Sequence, residues 1–288
     1  MSDRQKFSVL THSQRIWAVG SVHGEIEKLR QIHDALEPRL RQGDRLIYLG
    51  NMMGRGPFIL RTFNELVAYR SYFLARFQAR PEDIVYLRGA QEEMWQKLMQ
   101  LQFAPNPKDI LEWMLSQGVG ETLKAYGLSP EEGLHTTRTG AIQLTKWTNT
   151  LRRAMKQHPG HYELFGTLKR AAFTGSPNAL PKGEQETLQY NPAPPNAGEI
   201  LFVNCGLDTA KPLNNQKDNF WWAGKAFNRI QSPYGPFKRI VRGFDPDHLG
   251  FEQTDHTLTL DGGCGFEDGK LMAACLLPDG QVTEILET

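Results

Sequence analysis

The sequence predicts an α/β protein whose first part contains a parallel sheet. Apolar runs of strand length alternate with helical patterns in a β-α-β-α-β order, with strands at 16–19, 46–49 and 84–87 and helices at 25–40 and 58–77. This alternation is typical of parallel strands joined by crossover helices. A glycine closely follows each apolar run, at Gly20, Gly50 and Gly89. Three loops should therefore lie at the carboxyl ends of the strands, where open α/β sheets carry their active sites.

Residues 91–172 predict a helical insertion within a single domain that spans 1–288. Apolar residues recur there at spacings of three and four, at Trp95, Leu98, Leu101, Ile110, Trp113 and Met114. This spacing is typical of amphipathic helices. The tryptophans Trp95, Trp113 and Trp147 could line a groove for a partner, but at helical spacing we favour core positions.

The last part of the chain predicts strands. Strand-like runs lie at 200–203, 239–241, 257–260, 271–277 and 282–286, and a Pro-Asp-Gly turn at 278–280 separates the last two. Residues 175–198 contain five prolines with several Asn and Gly residues. We interpret them as an irregular surface excursion.

Composition excludes several classes of function. The 288 residues carry 33 Lys and Arg against 32 Asp and Glu, so the net charge near +1 predicts neither a nucleic-acid partner nor an anionic membrane surface. We expect no signal peptide, because residues 1–15 contain four charged side chains and no apolar run of signal-peptide length. We expect no transmembrane span, because no apolar run reaches about 20 residues. Three cysteines without C-x-x-C spacing indicate neither a disulfide framework nor a zinc knuckle. A reducing cytoplasm is the predicted location.

Five short motifs follow strand ends and carry the functional prediction. They read GSVHG at 20–24, GNMMGRGP at 50–57, RGAQE at 88–92, VNCG at 203–206 and RGFDP at 242–246. In this order they resemble the calcineurin-like metallophosphoesterases, and most closely bacterial serine/threonine protein phosphatases and diadenosine tetraphosphate hydrolases, whose motifs are GDxHG, GDxxDRGP, RGNHE, HAG and GHTP. The resemblance covers about residues 15–286. It implies a four-layer metallo-dependent phosphatase fold, a central β-sandwich flanked by helices, with a helical insertion.

The resemblance also implies a chemistry that these residues do not support. Family members use two divalent metals, such as Mn, Fe or Zn, to activate a hydroxide for in-line attack on phosphorus. The six family ligands fall on Ser21, His23, Asn51, Ala90, Asn204 and Phe244. Only His23 keeps the expected residue type. The catalytic histidine falls on Gln91 and its orienting aspartate on Gly54, so we expect neither metal cofactors nor a general acid.

Three arginines remain at positions linked to phosphate recognition. The resemblance places Arg55 and Arg88 where family members grip phosphate, and Arg242 just before Gly243 of the fifth motif, whose histidine is replaced by Phe244. These residues predict an anion site. The alternative is that they are structural and pair with acids such as Glu92.

Two further groups could carry chemistry near these loops. Cys205 could act as a nucleophile with His23 as its base, although inert packing is the favoured interpretation. Asp245, Asp247 and His248 could supply replacement metal ligands, but Asp245-Pro246-Asp247 has the character of a solvated turn.

Three functions follow from these observations. The first is a pseudophosphatase, a metal-free binding or regulatory protein that recognises a protein partner or a phosphate-bearing ligand without hydrolysis. The second is an active serine/threonine-type phosphoesterase or dinucleotide polyphosphate hydrolase with a metal site rebuilt from His23, Asn51, Asn204, Asp245 and His248. The third is a structural subunit whose old pocket is filled by Phe244, Met52 and Met53. We favour the first, because neither the metal ligands nor the general acid remain.

Overall fold

The computed structural model describes residues 6–176 and 197–288. Its strands are β1 Phe7–Leu10, β2 Ile16–Val19, β3 Arg45–Tyr48, β4 Ile84–Tyr86, β5 Ala171–Gly175, β6 Ala197–Val203, β7 Arg239–Arg242, β8 Gly250–Gln253, β9 Thr257–Asp261, β10 Met272–Leu276 and β11 Val282–Glu287. Its helices are α1 Ile26–Leu36, α2 Ile59–Arg76, α3 Ala90–Leu98, α4 Pro107–Met114, α5 Gly120–Ala125, α6 Pro130–Thr139, α7 Ala141–Lys156, α8 His161–Thr167, α9 Asn219–Trp222 and α10 Gly224–Phe227.

The strands form two sheets. One has the order β11-β10-β2-β3-β4 and the other β1-β5-β6-β7-β9-β8. Strands β2, β3 and β4 run parallel in the first sheet, and β6, β7 and β9 run parallel in the second. The carboxyl ends of both parallel sets can therefore contribute loops to one edge of the molecule.

Three apolar layers hold these elements together. One lies between the sheets and contains side chains from both, including Ile47 and Phe202. A second packs α1, α2 and the helices of 90–167 on the first sheet, around Trp17 and Phe63. A third packs the segment 207–237 on the second sheet, around Phe173 and other residues of that sheet. Burial on both faces explains why β2 and β10 are apolar throughout rather than alternating, and why β3 is apolar after Arg45. The four layers are the helices on the first sheet, the two sheets, and the segment 207–237 on the second sheet. This arrangement confirms the predicted fold class.

Three strands differ from the sequence-based prediction. β1 and β8 were not predicted, and β5 begins inside the range assigned to the helical insertion, whose helices run from Ala90 to Thr167. The expected surface excursion lies mostly outside the described residues, and its two ends belong to β5 and β6. The single-domain organisation with an insertion stays a prediction. No helix within 6–176 or 197–288 is long and apolar enough to cross a membrane.

Candidate functional site

The five motif loops meet at the carboxyl ends of β2, β3, β4, β6 and β7, and we refer to 20–24, 50–57, 88–92, 203–206 and 242–246 as the five-loop cluster. Backbone hydrogen bonds join the loops. Ser21 N donates to Gly243 O at 3.0 Å, and His23 N donates to Asn51 O at 2.7 Å. Gly243 N and Phe244 N both donate to Asn204 O, at 3.0 and 2.9 Å. The two sheets are thus connected through their loops as well as through their shared core.

Glu92 is the acidic centre of the five-loop cluster. Its carboxylate is completely buried and accepts four backbone N–H groups. Oε2 accepts from Asn51 N and Gly89 N, both at 2.8 Å. Oε1 accepts from Met52 N at 2.8 Å and Met53 N at 3.0 Å. Burial raises the pKa of Glu92, while the four N–H donors oppose that rise. The residue therefore holds the second loop against the start of α3.

The amides at two former metal-ligand positions also hold loops together. Asn204 donates from Nδ2 to Leu49 O at 2.8 Å and accepts from Ala90 N at 3.2 Å. Asn51 donates to Ser21 Oγ at 3.3 Å and accepts from Gln91 N at 3.1 Å. Both side chains are buried, so neither presents an unused oxygen to an ion. Asn51 also has a left-handed backbone with φ 54°, which asparagine tolerates better than most residues.

His23 lies among aromatic rings. Its imidazole is 5.8 Å from the centroid of Phe244 and 5.8 Å from that of Phe266, edge-on to both, and it is 1% exposed. Neither ring nitrogen makes a well-aligned hydrogen bond within the described ranges. Burial lowers the pKa of His23 to about 4, and the neighbouring Arg55 and His248 lower it further, while Asp261 and the Met53 backbone oppose the shift. The imidazole is therefore neutral at physiological pH.

Asp245 and His248 are organised by Asp261, a residue that the sequence did not single out. Asp261 Oδ2 accepts from Asp245 N at 2.7 Å and contacts His248 Nδ1 at 2.9 Å. The His248 ring packs 4.0 Å from Phe266. Asp245 is completely buried, so the expected solvated turn is wrong for this residue, whereas Asp247 is exposed.

The buried charge of Asp245 is matched by Arg242. The two side chains are 3.1 Å apart and both are 0% exposed. Arg242 also donates to Thr259 Oγ1 at 2.9 Å, and its guanidinium lies 4.4 Å from the Phe227 ring centroid. A cation enclosed in this way has no surface for a ligand from solvent. This arrangement replaces the predicted anion-binding role of Arg242 with a structural one.

Arg88 also forms an ion pair with an acidic residue. Its Nη1 lies 3.1 Å from Glu93 Oε2, with side-chain exposures of 12% and 7%. The partner is Glu93 and not Glu92, whose oxygens are occupied by backbone donors. The structural alternative for Arg88 is therefore the better supported of the two.

Arg55 differs from the other two arginines. It forms no hydrogen bond or ion pair within 6–176 and 197–288, and its guanidinium lies 4.6 Å from the centroid of the Phe266 ring. The side chain is half-buried, and burial lowers its pKa. Desolvation without a counter-ion favours an incoming anion. Arg55 is thus the arginine of the three that is available to a ligand.

Gln91 and Gly54, at the positions of the family's catalytic histidine and its orienting aspartate, make structural contacts. Gln91 donates from Nε2 to Gln117 O at 2.7 Å, which ties α3 to the π-helical turn Leu115–Val119. Gly54 has φ 117°, and a Cβ built there would lie 2.6 Å from Gln91 Cδ. An orienting carboxylate at residue 54 is therefore incompatible with the position of Gln91.

The remaining candidates are structural. Cys205 is buried and its pKa is raised to about 12 by burial, which makes a thiolate nucleophile unfavourable.

Met52 and Met53 belong to the apolar layer between the first sheet and its helices. Trp95 and Trp147 are core residues, as predicted, whereas Trp113 is 45% exposed and packs 5.4 Å from Trp222.

The donor set of this site does not fit two divalent metals. Among the residues that the structure describes, no group of three or more His, Cys, Asp or Glu side chains could hold a metal ion. The imidazole of His23 packs edge-on against Phe244 and Phe266. Asn51 and Asn204 use both ends of their amides in loop contacts, and the side chain of Phe244 has no donor atom. Stable divalent sites need several oxygen or nitrogen ligands that converge on one point.

Comparison with known proteins identifies the fold. A crystal structure of a protein provisionally named diadenosine tetraphosphatase matches with a TM-score of 0.53 at 14% identity, over 98% of this chain and 97% of that one. A protein serine/threonine phosphatase from Saccharomyces cerevisiae matches with a TM-score of 0.51 at 12% identity, over 99% of this chain and 84% of that one. No family model and no curated protein matches the sequence. The predicted resemblance to phosphoesterases is confirmed at the level of the fold.

Replacing His23 should remove part of the acid sensitivity of the fold. Its pKa falls from 6.5 to about 4 on folding. The stabilising effect of the neutral ring is therefore fully present above pH 6.5 and is lost as the pH falls towards 4. Between pH 7 and pH 4, urea unfolding of the wild type should lose about 3 kcal/mol that His23→Phe does not lose.

The matched control is His12→Phe. His12 has the same left-handed backbone, with φ 51° at both histidines, but its side chain is exposed. Its replacement should leave the pH dependence unchanged. Equal pH dependence of His23→Phe and the wild type would contradict the buried, neutral assignment.

Replacing Glu92 with glutamine should destabilise the protein strongly. One oxygen of the carboxylate becomes an NH₂ group that faces buried N–H donors. We expect a loss of about 3 kcal/mol or more in the free energy of unfolding, measured by urea denaturation. Glu112→Gln is the control, because this exposed residue has only a 3.5 Å ion pair with Lys108. A similar loss in both variants would show that Glu92 does not hold the loops.

Proposed function

We propose that the protein is a pseudophosphatase, a binding or regulatory protein with a phosphoesterase fold that recognises a phosphate-bearing ligand or partner without hydrolysing it. The observation that carries this proposal is the buried, aromatic environment of His23. Among the six residues at the family's ligand positions, only His23 is of the expected type, and it is buried edge-on against Phe244 and Phe266 without belonging to any group of three or more His, Cys, Asp or Glu side chains among the described residues that could hold a metal ion. Hydrolysis by the family chemistry needs the metals, a general acid and their relative geometry.

The alternative of a rebuilt metal site receives less support from the contacts. Asn51 and Asn204 use both ends of their amides in loop contacts. Asp245 faces Arg242, and His248 faces Asp261. Freeing these groups for a metal would break a buried ion pair and several hydrogen bonds at once.

Recognition of phosphate is proposed to depend on Arg55. Its guanidinium is half-buried, lies on Phe266 and has no acidic partner in the described part of the chain. An arginine held by an aromatic face can present two parallel N–H donors to a phosphate. The buried, unpaired cysteines favour action in the cytoplasm, which we include in the proposal.

Phosphate binding tests this proposal. Amide NMR signals of Gly54, Gly118 and Gly265 should shift when wild-type protein is titrated with inorganic phosphate, since these residues adjoin Arg55 and His23. Arg55→Gln should weaken that response at least about ten-fold, because a charge-assisted hydrogen bond contributes about 1.5–3 kcal/mol. Arg61→Gln, which removes an exposed arginine paired with Glu27 at 3.2 Å, is the control.

The same samples should show no hydrolysis of p-nitrophenyl phosphate with added Mn²⁺. Turnover above that of buffer would overturn the pseudophosphatase proposal and favour a rebuilt site. Unchanged phosphate affinity in Arg55→Gln would overturn the role of Arg55.

A further inference from the structure

The helical insertion carries a basic segment that the overall charge balance conceals. Residues 133–162 contain five Lys and Arg residues and neither Asp nor Glu, whereas the whole chain has 33 basic and 32 acidic residues. The rest of the chain is therefore net negative. The five basic residues are Arg138, Lys146, Arg152, Arg153 and Lys156. All but the first lie on helix α7, and soluble proteins commonly intersperse charges of both signs on such a surface.

Helix α7 has one buried face and one exposed face. Its inner face, with Leu144, Trp147 and Met155, belongs to the apolar layer on the first sheet. Its outer face exposes five side chains at spacings of four, three, four and three residues, which places them in one line along the helix. We refer to them as the basic stripe: Ile142, Lys146, Asn149, Arg153 and Lys156. The cations of the stripe span about 15 Å of the helix axis.

The cations of the basic stripe have no acidic partner in the described ranges. Lys146 and Arg153 form no hydrogen bond or ion pair there. Lys156 Nζ lies 4.8 Å from the centroid of the Tyr162 ring, a contact that leaves its charge uncompensated. Arg152, beside the stripe, donates to Asn149 Oδ1 at 3.0 Å and to Met99 O at 2.6 Å, which are neutral acceptors. The outer face of α7 therefore keeps the positive charge of its cations.

The stability of α7 itself explains only part of this arrangement. Arg153 and Lys156 lie in the last turn, where cations interact favourably with the helix dipole. Lys146 lies near the start of the helix and gains nothing from the dipole, and the first turn contains no acidic residue. Like charges three or four residues apart also repel each other. A partner that supplies negative charge would remove this repulsion.

The geometry of the stripe favours a short acidic helix over a membrane or a nucleic acid. A membrane-surface helix inserts its apolar face into the lipid, but the apolar face of α7 is buried, and Ile142 is the one apolar residue of the stripe. A duplex extends well beyond 15 Å and would meet the net negative remainder of the chain. Lys146 and Arg153 are seven residues apart, the spacing at which charged side chains of packed helices pair across an interface.

We propose that the outer face of α7 is a docking surface for an acidic helical segment of a partner protein. Lys146, Arg153 and Lys156 face carboxylates of that segment, and Ile142, 74% exposed, provides an apolar contact at one end. The surface belongs to the helical insertion and not to the five-loop cluster, so it does not depend on phosphate binding by Arg55.

The first test compares two probes on the wild-type protein. One is an alanine-rich helical peptide of about 20 residues with glutamates spaced seven and three residues apart, and the other has glutamine at the same positions. Fluorescence anisotropy should show that the glutamate peptide binds at least about ten-fold more tightly and that its affinity falls as salt is added. Equal affinity for the two peptides, or no binding of the glutamate peptide at about 1 mM, would overturn the proposal.

The second test reverses the charge of the stripe. The double variant Lys146→Glu, Arg153→Glu should bind the glutamate peptide at least about ten-fold more weakly, since two attractions become repulsions. The matched control is Lys225→Glu, Arg229→Glu, because both residues are exposed on the segment 207–237, which packs on the second sheet. Unchanged affinity in the stripe variant would contradict the proposal. Tighter binding of the wild type to phosphatidylserine vesicles or to duplex DNA than to the peptide would also overturn it.

Discussion

The carboxylate of Glu92 is the constraint on which the five-loop cluster depends. One buried side chain satisfies four backbone N–H groups, from Asn51, Met52, Met53 and Gly89. Without it these donors would be buried and unpaired, at a cost of about 1–3 kcal/mol each. The geometry also explains the glycine before α3, because a Cβ on Gly89 would collide with the backbone and side chain of Asn51. Contacts within the chain, centred on the Glu92 carboxylate, thus hold the loops in place.

Around Glu92, the positions of the family's metal ligands hold neutral residues, and the nearby buried acids have partners. Asn51 and Ser21 stand where the resemblance expects acidic metal ligands, and they bond to each other. The buried Asp245 has Arg242 as its partner, and Asp261 has His248. Phe244 and Phe266 enclose a neutral His23. Arg55, which is half-buried over the ring of Phe266, has no such acidic partner among the described residues.

Local sequence signals predicted the strand ends well, and long-range packing less well. Gly20, Gly50 and Gly89 closely follow apolar runs of strand length, so the sequence alone predicts the loops that contain the first three motifs. The sequence does not indicate the roles of Phe266 and Asp261, because these residues contact His23 and Asp245 from a later part of the chain and belong to no motif. The sequence does not indicate that Arg88 pairs with Glu93 and not with Glu92. Only the fold shows that the Glu92 carboxylate is occupied by backbone N–H groups of the loop 50–57. The short strand β1 pairs with β5, more than 160 residues away, which no local pattern indicates.

The most direct test of this account is the effect of metal on stability. A protein that binds metal in its folded state gains unfolding free energy as the metal concentration rises. If Glu92 and the surrounding amides hold the loops, the unfolding temperature should be the same, within about 1 °C, after treatment with EDTA and after addition of 1 mM Mn²⁺. A rise of several degrees with Mn²⁺ that His23→Ala abolishes would contradict the account, because it would show that the former site still binds metal.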